Sequence, residues 1–226
     1  MKQIYAIFLF ALIYLSSTIA VADTLKLAVQ KIESEWARIH YTVAKKQRNI
    51  AFEQLLSQVQ SLNSQYPDQA EIIIQQAIIV ASNADNINPF SALQAIHQAR
   101  DLLLQAITLN PNASEGAAFV TLGSLYYQVP GWPIAYGDNV KAQAMLEKAL
   151  VINPNTIDAN YFYADFLNSQ GKQRQAMKYF KRALAIPVRT TQVFADSQLH
   201  KQAKLALQEN SNVLPAKKQI LSIAYK

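Results

Sequence analysis

The sequence predicts an all-α protein, a right-handed stack of about nine helices arranged as antiparallel pairs. Three observations predict it. Ala142, Leu146, Ala149 and Pro154 recur as Ala176, Phe180, Ala183 and Pro187. The first three return after 34 residues and the proline after 33, and a fixed period of this length marks stacked helix–turn–helix units. Glycine is scarce: the chain of 226 residues has five, all between Gly116 and Gly171, so few connections require a positive φ. Apolar residues fall three and four apart over most of the length, which is the spacing of one helix face.

The first 22 residues read as a targeting segment. Lys2 supplies a positive start, Ile4 to Leu15 is a twelve-residue apolar run, and Ala20 and Ala22 fit a signal-peptidase site. A membrane span needs about 20 apolar residues, and Ser16, Ser17 and Thr18 end this run early. The expectation is a cleaved signal peptide over 1–22, a mature chain from Asp23, and a periplasmic or secreted protein.

Two helices are expected over 23–67. Leu25, Ala28, Ile32, Trp36, Ile39 and Val43 share one face of the first, over 24–48, with Lys45, Lys46 and Arg48 at its end. The second runs over 49–64 with Ile50, Leu55, Leu56, Val59 and Leu62 inward, and Tyr66-Pro67-Asp68 breaks it. Residues 68–83 are apolar almost all round, as in a central helix buried on two sides. A helix over 90–109 carries Ala99, Leu103, Ala106 and Pro111 at the repeat spacing. Ser114 is the expected N-cap of the helix at 114–128, which contains Gly123. Val129 to Gly137 (VPGWPIAYG) is an insertion whose prolines cannot continue a helix. Asp138 caps the next helix, Thr156 and Asp158 start another, Gly171 ends it, and 172–186 closes the array. A capping helix over 188–210, with its helical core at Arg189 to Gln208, would bury Val193, Phe194, Leu199, Ala203, Leu205 and Ala206; residues 211–226 form a tail.

Composition excludes several chemistries. With no cysteine there is no disulfide, no thiolate metal site and no thiol nucleophile. His40, His97 and His200 show no metal-ligand spacing, no Gly-rich phosphate loop occurs, and no GxSxG elbow is present. No catalytic residue, cofactor or metal is therefore assigned. Charge is uneven. The whole chain carries +6; residues 172–226 hold eleven cations against Asp196 and Glu209, whereas residues 23–171 hold nine against thirteen acids. The basic end would make a weak contact with an anionic membrane or an acidic partner, and export argues against nucleic acid.

Residues 68–187 resemble three tetratricopeptide repeats. The first is degenerate in its leading helix and the second carries the 129–137 insertion. Leu122, Gly123 and Tyr126 occupy the positions of that repeat's Leu, Gly and Tyr. Phe119 and Asn160 stand where its aromatic start residue usually lies, and Ala164 replaces the small Gly. The stretches LYYQVPGWPIAYGD (Leu125 to Asp138) and NPNTIDANYFYADFL (Asn153 to Leu167), with Pro187-Val188-Arg189 and Ala195-Asp196, resemble those of exported bacterial tetratricopeptide proteins. A distant similarity extends to T-component proteins of tripartite (TRAP) transporters.

The resemblance implies a concave face lined by the first helix of each pair. Val120, Ser124, Tyr127, Asp158, Tyr161, Asp165 and Asn168 would face it, with Tyr127, Asp158, Tyr161, Asp165 and Asn168 as binding residues. Tyr136 and Trp132 form a second candidate, a stiff loop beside Tyr126 and Tyr127. Either Trp132 plugs a gap between helices, which the rarity of exposed Trp favours, or it is recognition surface. The implied function is non-catalytic binding of a protein or peptide. The alternatives are a small-molecule or lipid-handling subunit of a transport system, and a hydrolase whose residues the sequence does not reveal.

Overall fold

A computed structural model of the chain describes residues 23–224, with side chains over residues 23–210. The proposed signal segment lies outside the described residues. Among the described residues nine helices follow one another: α1 (23–42), α2 (Lys45–Gln65), α3 (Ala70–Asn83), α4 (Pro89–Leu109), α5 (Ala117–Gln128), α6 (Asn139–Ile152), α7 (Ile157–Ser169), α8 (Gln173–Ala185) and α9 (Val193–Ala224). Short 3₁₀ turns occupy Ala84–Asn86 and Ala113–Gly116. No helix among the described residues is long and apolar enough to cross a membrane.

The repeat pattern is the packing pattern. Ala99, Leu103 and Ala106 on α4, Ala142, Leu146 and Ala149 on α6, and Ala176, Phe180 and Ala183 on α8 are all fully buried. Each set pairs its helix with the helix before it, so α3 packs on α4, α5 on α6 and α7 on α8. Small residues at the two alanine positions let the axes approach, and the larger central residue fills the gap between them. Gly123 serves the same end on α5: a Cβ there would lie 2.7 Å from Leu146 Cγ. As expected, α3 is buried on two sides. Ile73, Ile74 and Ala77 join the main core, while Ile72 and Ile79 pack with α1 and α2.

Caps fix most boundaries. Asn88 accepts from the Ser91 amide ahead of Pro89, and Asp138 accepts from the amides of Val140 and Lys141. Thr156 caps α7, and Gly171 leaves it at φ 71°. These groups satisfy amides that a helix start otherwise leaves open.

The structure corrects several expectations. The first break falls at Val43-Ala44, not near residue 48. Lys45 and Lys46 therefore open α2, and Arg48 reaches back to donate from Nε to the Val43 carbonyl at 2.8 Å, closing the end of α1. Ser114 is not an N-cap. Ser114, Glu115 and Gly116 all take left-handed conformations, and the chain enters α5 without a side-chain cap. Ile50 is exposed on α2, as are Val193, Phe194 and Leu205 on α9. The last helix starts at Val193, because Arg189 donates its backbone N–H to Asp196 Oδ2 and holds 189–192 in a turn. It then continues past Glu209 to Ala224.

Candidate binding groove

Helices α1, α3, α5 and α7 share one side of the stack and enclose a groove of about 1180 Å³ with the 189–195 segment and the start of α9. None of its walls comes from α2, α4, α6 or α8. The alternation follows from the paired packing, which turns the first helix of each pair inward and leaves the second outside.

Val120 and Ser124 on α5, and Asp158, Tyr161 and Asp165 on α7, line the groove as the sequence places them. Tyr127 and Asn168 do not. Tyr127 is turned toward α7, packs against Phe166 and donates its hydroxyl to Asp165 Oδ2 at 2.6 Å. It positions the Asp165 carboxylate. Burial, with the Asp165 charge beside it, pushes the Tyr127 phenol well above its ordinary pKa, so it remains a donor. Tyr161 packs on Phe162 and Phe180, and burial pushes its phenol up too.

Asp158 is already engaged. Arg189 Nη2 donates to Asp158 Oδ2 at 2.9 Å and to Asp196 Oδ1 at 2.6 Å, while Arg189 Nε meets Asp196 Oδ2 at 3.1 Å. Asp196 is 0% exposed. Desolvation pushes the Asp158 carboxyl upward, and Arg189 opposes that shift. The two short sequence elements at Arg189 and Asp196 are thus halves of one ion pair that pins the start of α9 to α7.

Glu33 is a groove residue that the sequence pattern missed. Its Oε1 accepts from Gln75 Nε2 of α3 at 2.9 Å, and its Oε2 accepts from Gln192 Nε2 at 2.7 Å. Trp36 Nε1 donates to Ser82 Oγ at 2.8 Å, and Tyr41 stacks edge-on with Phe194. Helix α1 therefore spans the groove from α3 to the 189–195 segment. Burial raises the Glu33 carboxyl, countered by the Gln192 hydrogen bond and the Arg189 charge. No signal in the sequence links Glu33 to residues 42 and 159 positions away.

The 129–137 insertion corrects the packing expectation for Trp132. Trp132 is 89% exposed, and Ile134 beside it is also exposed. Tyr136 anchors the loop instead. It donates its hydroxyl to the Ile96 carbonyl at 2.8 Å, meets Tyr126 and His97 edge-on, and lies under the Arg100 guanidinium. Gly137 donates its N–H to the Pro130 carbonyl, and a Cβ at Gly137 would run into the backbone of Val129 and Pro130. The loop is held down by Tyr136 and presents Trp132 outward.

Residues 157–187 match the family model described as "Tetratricopeptide repeat". No curated protein matches the sequence. Among solved structures, the chain is similar to a thermophilic TPR protein of Thermus thermophilus. The two share 17% identity with a TM-score of 0.56, covering 87% of this chain and 95% of that one. A further match is MamA, at 15% identity and a TM-score of 0.43, covering 77% and 95% of the two chains. At these identities the likeness speaks to the fold. The chain carries a tetratricopeptide repeat at 157–187, and the helix pairs around it form the stacked fold of proteins built from such repeats.

Proposed function

We propose that this protein is a non-catalytic binding scaffold of the periplasm that holds a segment of a protein partner in the groove between α1, α3, α5 and α7. One observation carries the reading: a groove of about 1180 Å³ walled by the inward helices of a repeat stack. Pockets for small ligands usually measure about 300–1,000 Å³, so the volume favours a peptide segment over a metabolite. Its walls mix Trp36, Tyr161 and Phe162 with carboxylates, which offers both apolar area and polar anchors. Repeat stacking supports such a surface, since each pair is braced by its neighbours. Trp132 and Ile134, exposed on the loop that follows α5, give the partner a second contact outside the groove.

A photo-crosslinking amino acid placed at Tyr161 in cells tests this. A discrete adduct at Tyr161, absent when the same group stands at exposed Val151 on outward α6, is expected. Adducts at Val151 and none at Tyr161 would place the working surface on the outer face. Intact mass of the protein from its native host, beginning at Asp23, is the expected sign of export; a chain retaining Met1 would contradict it.

A further inference from the structure

The charge of the groove opposes the charge of the chain. Glu33, Glu71, Asp85, Glu115, Asp158 and Asp165 lie in its walls. Among the described residues only Lys26 and Arg189 stand against them, a formal −4 from six carboxylates and two cations, in a protein whose formal charge is +6. His40 also lines the groove. Burial and the neighbouring Arg48 push its pKa down against the pull of Asp85, so it adds no positive charge at neutral pH. Arg189 is consumed within the wall by Asp158 and Asp196. A concave site with one sign of charge and low-dielectric walls focuses the field and attracts the opposite sign. The acids are spread along the groove, from Glu33 on α1 and Glu71 on α3, through Asp85 and Glu115 in the two 3₁₀ turns, to Asp158 and Asp165 on α7. Between them lie the apolar faces of Val29, Trp36, Ile78, Val120 and Phe162. Such a surface suits a chain whose side chains combine an aliphatic stem with a cationic head.

We propose that the groove takes an extended segment rich in lysine or arginine. This inference rests on the groove reading above and adds the chemistry of the occupant. Glu71, Asp85 and Glu115 read the cationic heads. Asp165, fixed by the Tyr127 hydroxyl, is the inner anchor, and Tyr161 and Phe162 cover the stems. An extended segment sets its side chains alternately to the two walls, which would put cationic heads and aliphatic stems within reach of both the acids and the apolar faces.

Fluorescence anisotropy with a dye-labelled nonapeptide alternating Lys and Leu, a matched Glu and Leu peptide, and spermine tests the proposal. The expected result is binding of the Lys peptide alone, weakened as salt rises. Glu71→Gln with Asp85→Asn and Glu115→Gln should weaken it about tenfold at unchanged melting temperature. Thr121→Trp, which fills the groove from α5, should abolish it; Gln128→Trp replaces that variant if it fails to fold. Equal binding of the Lys and Glu peptides, both lost on filling the groove, would overturn the charge assignment while the groove reading stands. Lys-peptide binding that survives both sets of variants would place the contact on another surface and overturn both. Absence of binding by either peptide at millimolar concentration would do the same. One-to-one displacement of the Lys peptide by spermine would reassign the site to a free polyamine.

Discussion

Replacing Arg189 with methionine removes the cation between two carboxylates while keeping most of the side-chain volume. Asp196 is fully buried and would retain the Arg189 backbone N–H as its donor. Asp158, partly open to the groove, would lose its ion-pair partner. Breaking a buried pair from one side costs about 3–5 kcal/mol, because an uncompensated charge stays in low dielectric. With a urea slope of roughly 2 kcal/mol/M, the unfolding midpoint should fall by about 2 M. The paired change Arg189→Met with Asp196→Asn also removes the fully buried charge, and Asn can still accept from the backbone N–H; Asp158 stays unpaired but partly open to the groove, so part of the loss should return. The pH dependence has a definite sign. Desolvation already raises the Asp158 carboxyl, and Arg189→Met removes the cation that opposes the shift, so the folded form binds more protons at Asp158 than the unfolded form, and stability should recover as pH falls toward the ordinary carboxylate range. Urea titrations of the wild type, the single and the double variant at neutral and mildly acidic pH measure all of this. A single variant within about 1 kcal/mol of wild type, or a double variant no better than the single, would refute the reasoning.

Three further outcomes are expected. Gly123→Ala should lower stability by about 1–3 kcal/mol through overpacking against Leu146, although helix propensity alone favours Ala by about 1 kcal/mol; a gain in thermal stability would show that α6 yields freely. Trp132→Ala should leave the melting temperature almost unchanged, as an exposed substitution within about 0.5 kcal/mol, whereas Tyr136→Phe should cost about 1 kcal/mol for the lost bond to the Ile96 carbonyl; calorimetry of the two variants checks the order. Tyr41 should ionise at about 12, held up first by burial and then by the Asp158 charge. Its contribution, full below the ordinary pKa of about 10, should be lost as pH rises from there through the folded value; ultraviolet titration of the wild type against Tyr41→Phe tests it.

The helix pairs were legible because their signal is local. Ala142, Leu146 and Ala149 report a close crossing by size alone, and the same sizes return at Ala176, Phe180 and Ala183. The caps at Asp138 and Thr156 were legible for the same reason. The break at Val43-Ala44 was not, since no Gly or Pro marks it and the Arg48 contact that closes α1 spans the junction. The left-handed run at Ser114 and Glu115 was hidden because neither residue demands that conformation. Within the groove, Asp158, Tyr161 and Asp165 could be placed by periodicity on α7. Tyr127 could not, because whether a Tyr at a helix edge faces a groove or a neighbour depends on what the next helix offers, here Asp165. Glu33, Trp36 and Gln192 become groove residues only when α1 and the 189–195 segment meet, an encounter that spacing along the chain does not encode. Trp132 misled through size: a large ring is usually covered, but the loop is secured by Tyr136, which leaves Trp132 no structural task.

The two hydrogen bonds on Glu33 change how the array should come apart. In a linear repeat protein each unit touches only the next, stability is close to a sum of nearest-neighbour terms, and an end can fray by itself. Here one carboxylate ties α3 to a residue 159 positions further along the chain than itself. Opening at the amino end releases the turn before α9, and loosening that turn unseats α1. The stack then behaves as a closed loop, in which the two ends stand or fall together. That closure also lengthens the average separation of contacting residues, which slows folding relative to an open stack of the same helices.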